Sequence, residues 1–182
     1  MSVLVAYASR HGATKEIAER VVQRLRAAGF DAEARPAKEV RDLAGYDAFM
    51  IGSAVYLGHW MKEATELVRR NQTFLAERPV WLFSSGPLGT EATDADGHDL
   101  LDESQVKEIV ELRAAVRPRG HRVFFGAFDR HTKAVGITER LVLMMPAART
   151  LFPEGDFRDW ADIETWADGI AHELAPVPAG RS

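Results

Sequence analysis

The chain contains no cysteine. That absence removes disulfides, thiolate nucleophiles, iron–sulfur clusters and cysteine metal sites, so any redox chemistry must borrow a bound cofactor. Long apolar runs are missing too. Nowhere do about eighteen apolar residues follow one another without a charge, so no transmembrane segment is expected. The apolar stretch 137–152 is interrupted by Glu139, Arg140 and Arg149, and peripheral membrane contact stays open. An excess of one charge sign is also lacking. The 23 basic and 27 acidic residues give a formal charge of −4 and are spread along the chain, with no basic tract to neutralise a phosphate backbone. Nucleic acid is therefore not an expected partner. The start, Met1-Ser2-Val3-Leu4-Val5-Ala6, has no basic region or small-residue cleavage site, so the expected location is cytoplasmic. His11, His98, His121 and His131 share no spacing that suggests a metal site.

What is present suits one domain: 182 residues, 46% of them hydrophobic, expected to fold over 1–175 with a flexible C-terminal tail at 176–182. Residues 3–8 form a continuous apolar run, and Ile17, Ala18, Val21, Val22 and Leu25 then repeat at helical spacing until Gly29 stops the helix. A second strand is read at 31–35, a third at 46–51 ending at Gly52, a fourth at 79–83 and a fifth at 122–128. Helical spacing lies between them at 60–68 and 106–116, and again at about 160–174. Strands that are apolar on both faces and alternate with helices predict a parallel sheet covered on each side. Right-handed crossovers place every strand-to-helix loop on one edge. The rhythm predicts a three-layer αβα sandwich with five parallel strands in the order 2-1-3-4-5 and a ligand crevice where the order reverses. The segment 137–152, with Leu141, Val142, Leu143, Met144, Met145 and Leu151, fits either a core helix or a surface patch for a quinone, a partner subunit or a membrane face.

Three loops fall on that edge. Ser9, Arg10, His11, Gly12, Ala13 and Thr14 stand between the first strand and the first helix, where unpaired N–H groups and the positive helix end converge on an anion site. Ser9 and Thr14 add hydroxyl donors, and Arg10 or His11 a positive charge. The alternative for this loop is a plain helix cap. No G-x-x-x-x-G-K-[ST] or G-x-G-x-x-G pattern is present, which directs the reading to a monophosphate. The second loop carries Ser53, Ala54, Val55, Tyr56, Leu57 and Gly58; the third carries Ser84, Ser85, Gly86, Pro87, Leu88 and Gly89. Hydroxyls, glycines and aromatics of this kind suit a flavin ring, which needs an apolar face and backbone polar groups at its edge. They equally suit packing at the end of a sheet. His59, at the mouth of the second loop, is a weak candidate for a catalytic proton donor.

The segment 5–18, Val-Ala-Tyr-Ala-Ser-Arg-His-Gly-Ala-Thr-Lys-Glu-Ile-Ala, resembles the phosphate-loop signature of flavodoxins. The run 52–59 and the tail 139–166 are similar to the flavodoxin-like group that includes the menaquinone-dependent protoporphyrinogen oxidases. This resemblance covers nearly the whole chain. It implies the flavodoxin-like fold, FMN as cofactor, the phosphate at residues 9–14 and the isoalloxazine between 53–58 and 84–89. It further implies an FMN-dependent oxidoreductase acting on a quinone or porphyrinogen-type substrate, with a flavodoxin-type electron carrier, served by a redox partner, as the alternative. In the oxidases an aromatic residue directly precedes the glycine of the second loop; here Leu57 holds that place and Tyr56 the one before. The acidic loop with Glu91, Asp94, Asp96 and Asp99 also differs from the oxidases. A homodimer is the expected assembly, two-fold symmetry being the commonest oligomeric arrangement.

Overall fold

In the computed structural model, residues 1–88, 93, 97, 99–102, 106–129 and 154–175 are described. Gly89, most of the acidic loop 90–99, the apolar segment 137–152 and the tail 176–182 lie outside them, so the readings placed there stand as expectations.

The chain opens with β1 (Ser2–Ala8), α1 (Ala13–Ala27) and β2 (Asp31–Pro36), followed by a short 3-10 turn at Ala37–Glu39. Next come β3 (Ala48–Tyr56), β4 (His59–Trp60), α2 (Lys62–Arg70), α3 (Gln72–Ala76) and β5 (Val80–Ser85). The last elements are α4 (Ile109–Val116), β6 (Gly120–Phe124), β7 (Ala127–Phe128), β8 (Gly155–Asp156) and α5 (Trp160–Leu174). The parallel strands stand in the order β2-β1-β3-β5-β6, which is 2-1-3-4-5 counted among themselves. The predicted order is therefore observed.

Alternation along each buried strand divides the core in two. Val3, Val5 and Tyr7 of β1 face α1 and α5, together with Met50, Trp81, Phe83 and Phe124. Leu4, Ala6 and Ala8 face the other way, with Phe49, Ile51 and Leu82, against the layer that holds α2, α3 and α4. Residues of the sheet are thus buried on both faces, which is why the strands read as continuous apolar runs rather than alternating ones.

Three boundaries differ from the sequence reading in ways that matter for the site. β3 does not end at Gly52 but continues to Tyr56 and turns back through Leu57-Gly58 into β4, which pairs antiparallel with it. Gly52 is needed for packing instead: a Cβ there would lie 2.0 Å from the Phe83 ring. Trp60, read as helical, belongs to β4. The predicted fifth strand is divided. β6 ends at Phe124, and β7 leaves the sheet to pair antiparallel with β8.

Candidate functional site

Helix α1 begins directly after β1. Gly12 is its N-cap with φ +94°, in the left-handed region that disfavours any side chain, and no side chain caps the helix. Ser9 does not act as the helix cap; its Oγ accepts the Gly12 N–H at 3.0 Å and keeps its own proton to donate. The first helical bond runs from the Glu16 N–H to the Gly12 carbonyl, so the N–H groups of Ala13, Thr14 and Lys15 have no acceptor within the helix. Thr14 is 1% exposed, and its Oγ1 has no hydrogen-bond partner among the described residues. A buried hydroxyl left in this state costs about 1–3 kcal/mol, which a bound acceptor would recover.

These groups open into a cavity of about 430 Å³ at the C-terminal edge of the sheet, in the size range of small-molecule sites. It lies where the strand order reverses around β1 and β3. One end is the polar loop Ser9, Arg10, His11, Ala13 and Thr14; the rest is mainly apolar, with side chains of Leu57, Leu88 and Val106, and also carries Ser85 and Asp102. The Arg10 guanidinium stacks 4.6 Å above the Tyr56 ring, and His11 meets Phe128 edge-on at 6.4 Å. Leu57 is 90% exposed with φ +53°, and Gly58 follows at +76°; two positive φ values close the two-residue hairpin between β3 and β4. A positively charged, amide-rich end joined to an apolar slot can take a ligand with an anionic tail and a flat apolar body.

The flavodoxin domain model matches residues 4–150. The chain belongs to the flavodoxin domain family. Similarity to curated relatives includes protoporphyrinogen IX dehydrogenase (quinone) of Escherichia coli K12, 23% identical over 177 residues that cover 94% of this chain and 96% of that protein. Among solved structures, oxidised flavodoxin 2 from Bacillus cereus superimposes with a TM-score of 0.62 at 18% identity, covering 96% of this chain and all of that one (100%). The flavodoxin of Streptococcus pneumoniae TIGR4 gives 0.56 at 16% identity, with 96% and 100% covered. At these identities the structural matches show the fold.

On this flavodoxin frame, the three loops picked out by sequence come together. Ala54, Val55, Tyr56, Leu57 and Gly58 line the cavity, as do Ser85, Gly86, Pro87 and Leu88. Gly86 permits a close approach of β5 to β3, since a Cβ there would lie 2.9 Å from Val55 Cβ. Gly12, Ser53 and Ser84 do not line it. Ser53 Oγ donates to the Ala54 carbonyl and accepts the Met61 N–H, and Ser84 Oγ accepts the Trp60 indole N–H at 2.7 Å. Both hydroxyls are spent inside the protein, fixing the hairpin to the sheet.

His59 is exposed and off the cavity wall. Its Nδ1 lies 2.7 Å from Glu108 Oε1 and its Nε2 3.2 Å from the Lys107 ammonium. Burial alone would raise the Glu108 carboxyl, but hydrogen bonds from His59 and the Trp60 N–H hold it below the usual carboxylate range. Glu108 and the Lys107 N–H, which donates to the Gly58 carbonyl, tie down the hairpin from outside. Sequence reading missed Leu100, Asp102, Val106 and Val123 as lining residues, together with Gly126, Ala127 and Phe128. The last three were legible in principle, because the end of the fifth strand falls on the same edge as the other loops. Among the described residues no helix is long and apolar enough to cross a membrane, and no cluster of His, Asp and Glu could hold a metal.

Proposed function

We propose that this chain binds FMN in the cavity and works as an oxidoreductase on a porphyrinogen-type or quinone-type substrate. One observation carries the cofactor assignment: the buried Thr14 hydroxyl, without a partner among the described residues, stands among amides at the start of a 15-residue helix and opens into a mainly apolar slot. A phosphate monoester would supply acceptor oxygens to these amides and hydroxyls and negative charge to the positive end of the helix. The Thr14 and Ser9 hydroxyls, the amides of Ala13, Thr14 and Lys15, and the Arg10 guanidinium would hold it. Tyr56, Leu57, Leu88 and Phe128 would enclose the ring system and keep water from it. Val55 and Gly86 bring two strand ends close, which supplies backbone groups at the ring edge without bulky side chains between.

Bound FMN supplies hydride and single-electron transfer, chemistry that no side chain of this chain offers. The protein's part is to grip the phosphate, orient the ring and limit solvent access. The substrate class is supported by the whole-length likeness to the E. coli dehydrogenase, whose name gives both a porphyrinogen and a quinone.

The test is anaerobic turnover of protoporphyrinogen IX by the FMN-loaded protein with menadione as acceptor, read as porphyrin fluorescence. The expected result is a rate at least about 10-fold above a control with free FMN and no protein, since holding the substrate against the ring removes the entropic cost of their encounter. A flavin-loaded protein that leaves the porphyrinogen unchanged but passes electrons to a cytochrome would contradict the substrate reading and favour the electron carrier.

A further inference from the structure

Helix α1 carries an acid in its first turn, Glu16, which competes for the same positive helix end that a phosphate would use. A second carboxylate, Asp156 at the end of β8, belongs to the segment that returns to this place from the far end of the chain. Between them lies Arg158. Its side chain is 6% exposed, against 56% for Glu16 and 47% for Asp156. Nε and Nη2 bind the two Asp156 oxygens at 2.7 and 2.6 Å in a bidentate pair. Nη1 reaches Glu16 Oε2 at 2.8 Å and donates to the Ala13 carbonyl at 3.1 Å, within the first turn of α1. The guanidinium plane lies 4.4 Å from the Trp160 ring centre, and Arg20 stands 4.8 Å from the same ring.

Ala13 lines the cavity, so this cluster abuts the proposed phosphate end. Remove the guanidinium and two carboxylates remain beside a site that must accept a dianion. Keep it and half of that negative charge is cancelled, with Glu16 drawn towards Arg158. We propose that Arg158 is a specificity-determining residue: by offsetting half of the negative charge of Glu16 and Asp156 it lets the start of α1 accept a phosphorylated flavin. The proposal rests on the FMN reading above. Arg158 acts through the two carboxylates, so its effect falls on the charged ligand and not on the ring.

The experiment compares FMN with riboflavin, which has the same ring and no phosphate, by calorimetric titration of the full-length apoprotein. Arg158→Met is expected to weaken FMN at least about 10-fold while riboflavin changes less than about 2-fold. Adding Glu16→Gln to that variant is expected to recover most of the FMN loss. Equal weakening of both flavins, or no recovery, overturns the proposal by reducing Arg158 to a packing role. Should Arg158→Met fail to fold, the double variant Glu16→Gln, Asp156→Asn with Arg158 intact decides. It is expected to bind FMN at least about 3-fold tighter with riboflavin unchanged; unchanged FMN affinity overturns the proposal. A wild-type protein that binds neither flavin overturns the FMN reading itself, a result distinct from a wild type that binds FMN beside indifferent variants.

Discussion

At the scale of single residues, the site depends on groups whose backbone or hydrogen bonding is unusual. Thr14 is the clearest. Thr14→Val keeps the shape of a residue that is 1% exposed and removes only the hydroxyl. Loss of a bond to a charged group costs about 1.5–3 kcal/mol, so FMN affinity should fall by at least about 10-fold in a titration. Folding stability should stay the same or rise, since an unmet buried hydroxyl is removed. Leu57 is the second case. A leucine at φ +53° costs about 1–2 kcal/mol, and Asn followed by Gly is the favoured pair for this turn. Leu57→Asn should therefore stabilise the apoprotein by about 1 kcal/mol in urea unfolding. Retained strain at an exposed apolar residue on the cavity rim accords with selection for the ligand rather than for the fold. The loop from Ser9 to Thr14 was legible because its residue types and its place before an apolar helix point to one chemistry. The strain at Leu57 was not, because nothing in the residue types alone distinguishes a turn leucine from a packed one.

At the scale of elements, a buried polar chain crosses from the hairpin to the sheet. The Trp60 indole donates to Ser84 Oγ, and Ser84 lies 2.8 Å from His121 Nε2 in β6. The Ser84 hydroxyl, which already accepts from Trp60, can exchange a further hydrogen bond with a neutral His121 ring. Burial and then the nearby Arg113 charge push the His121 pKa down to about 4. The unfolded chain takes up the proton near the ordinary value of about 6.5 and the folded one only near 4. Stability is therefore fully present above about pH 6.5 and is lost as the pH falls towards 4, by on the order of 3 kcal/mol for this group. Urea midpoints across that range should show the fall, and His121→Gln should flatten it. Gly52 supplies a second expectation. Gly52→Ala drives a methyl into the Phe83 ring and should cost about 1–3 kcal/mol, read from the same urea curves. Strand cores were readable from apolar runs, but their ends were not. Glycine often stops a strand, whereas Gly52 makes room for a ring on the neighbouring strand.

For the molecule as a whole, the doubly covered sheet followed directly from strands that are apolar on both faces. The order of those strands followed from right-handed crossovers and chain rhythm. What the sequence could not supply was the return of residues 155–158 to the start of α1, since that contact joins positions 145 apart through Arg158 and Ala13. Surface pairs between α1 and α5 reinforce it only slightly. Arg24 with Asp168 is half exposed, and such pairs are worth about 0–1 kcal/mol. On the proposed FMN reading, cofactor binding would be the larger global effect. A ligand held only by the folded state adds about 2.7 kcal/mol at 100 times its dissociation constant, so FMN should raise the urea midpoint where riboflavin raises it less. The most direct test of the central claim, that the start of α1 is a phosphate site at the end of a flavin slot, is calorimetric titration of the apoprotein with FMN and riboflavin side by side. The account predicts one FMN per chain with a dissociation constant below about 1 μM, and riboflavin binding at least about 100-fold weaker. Equal affinity for the two flavins, or no binding of FMN, would contradict it.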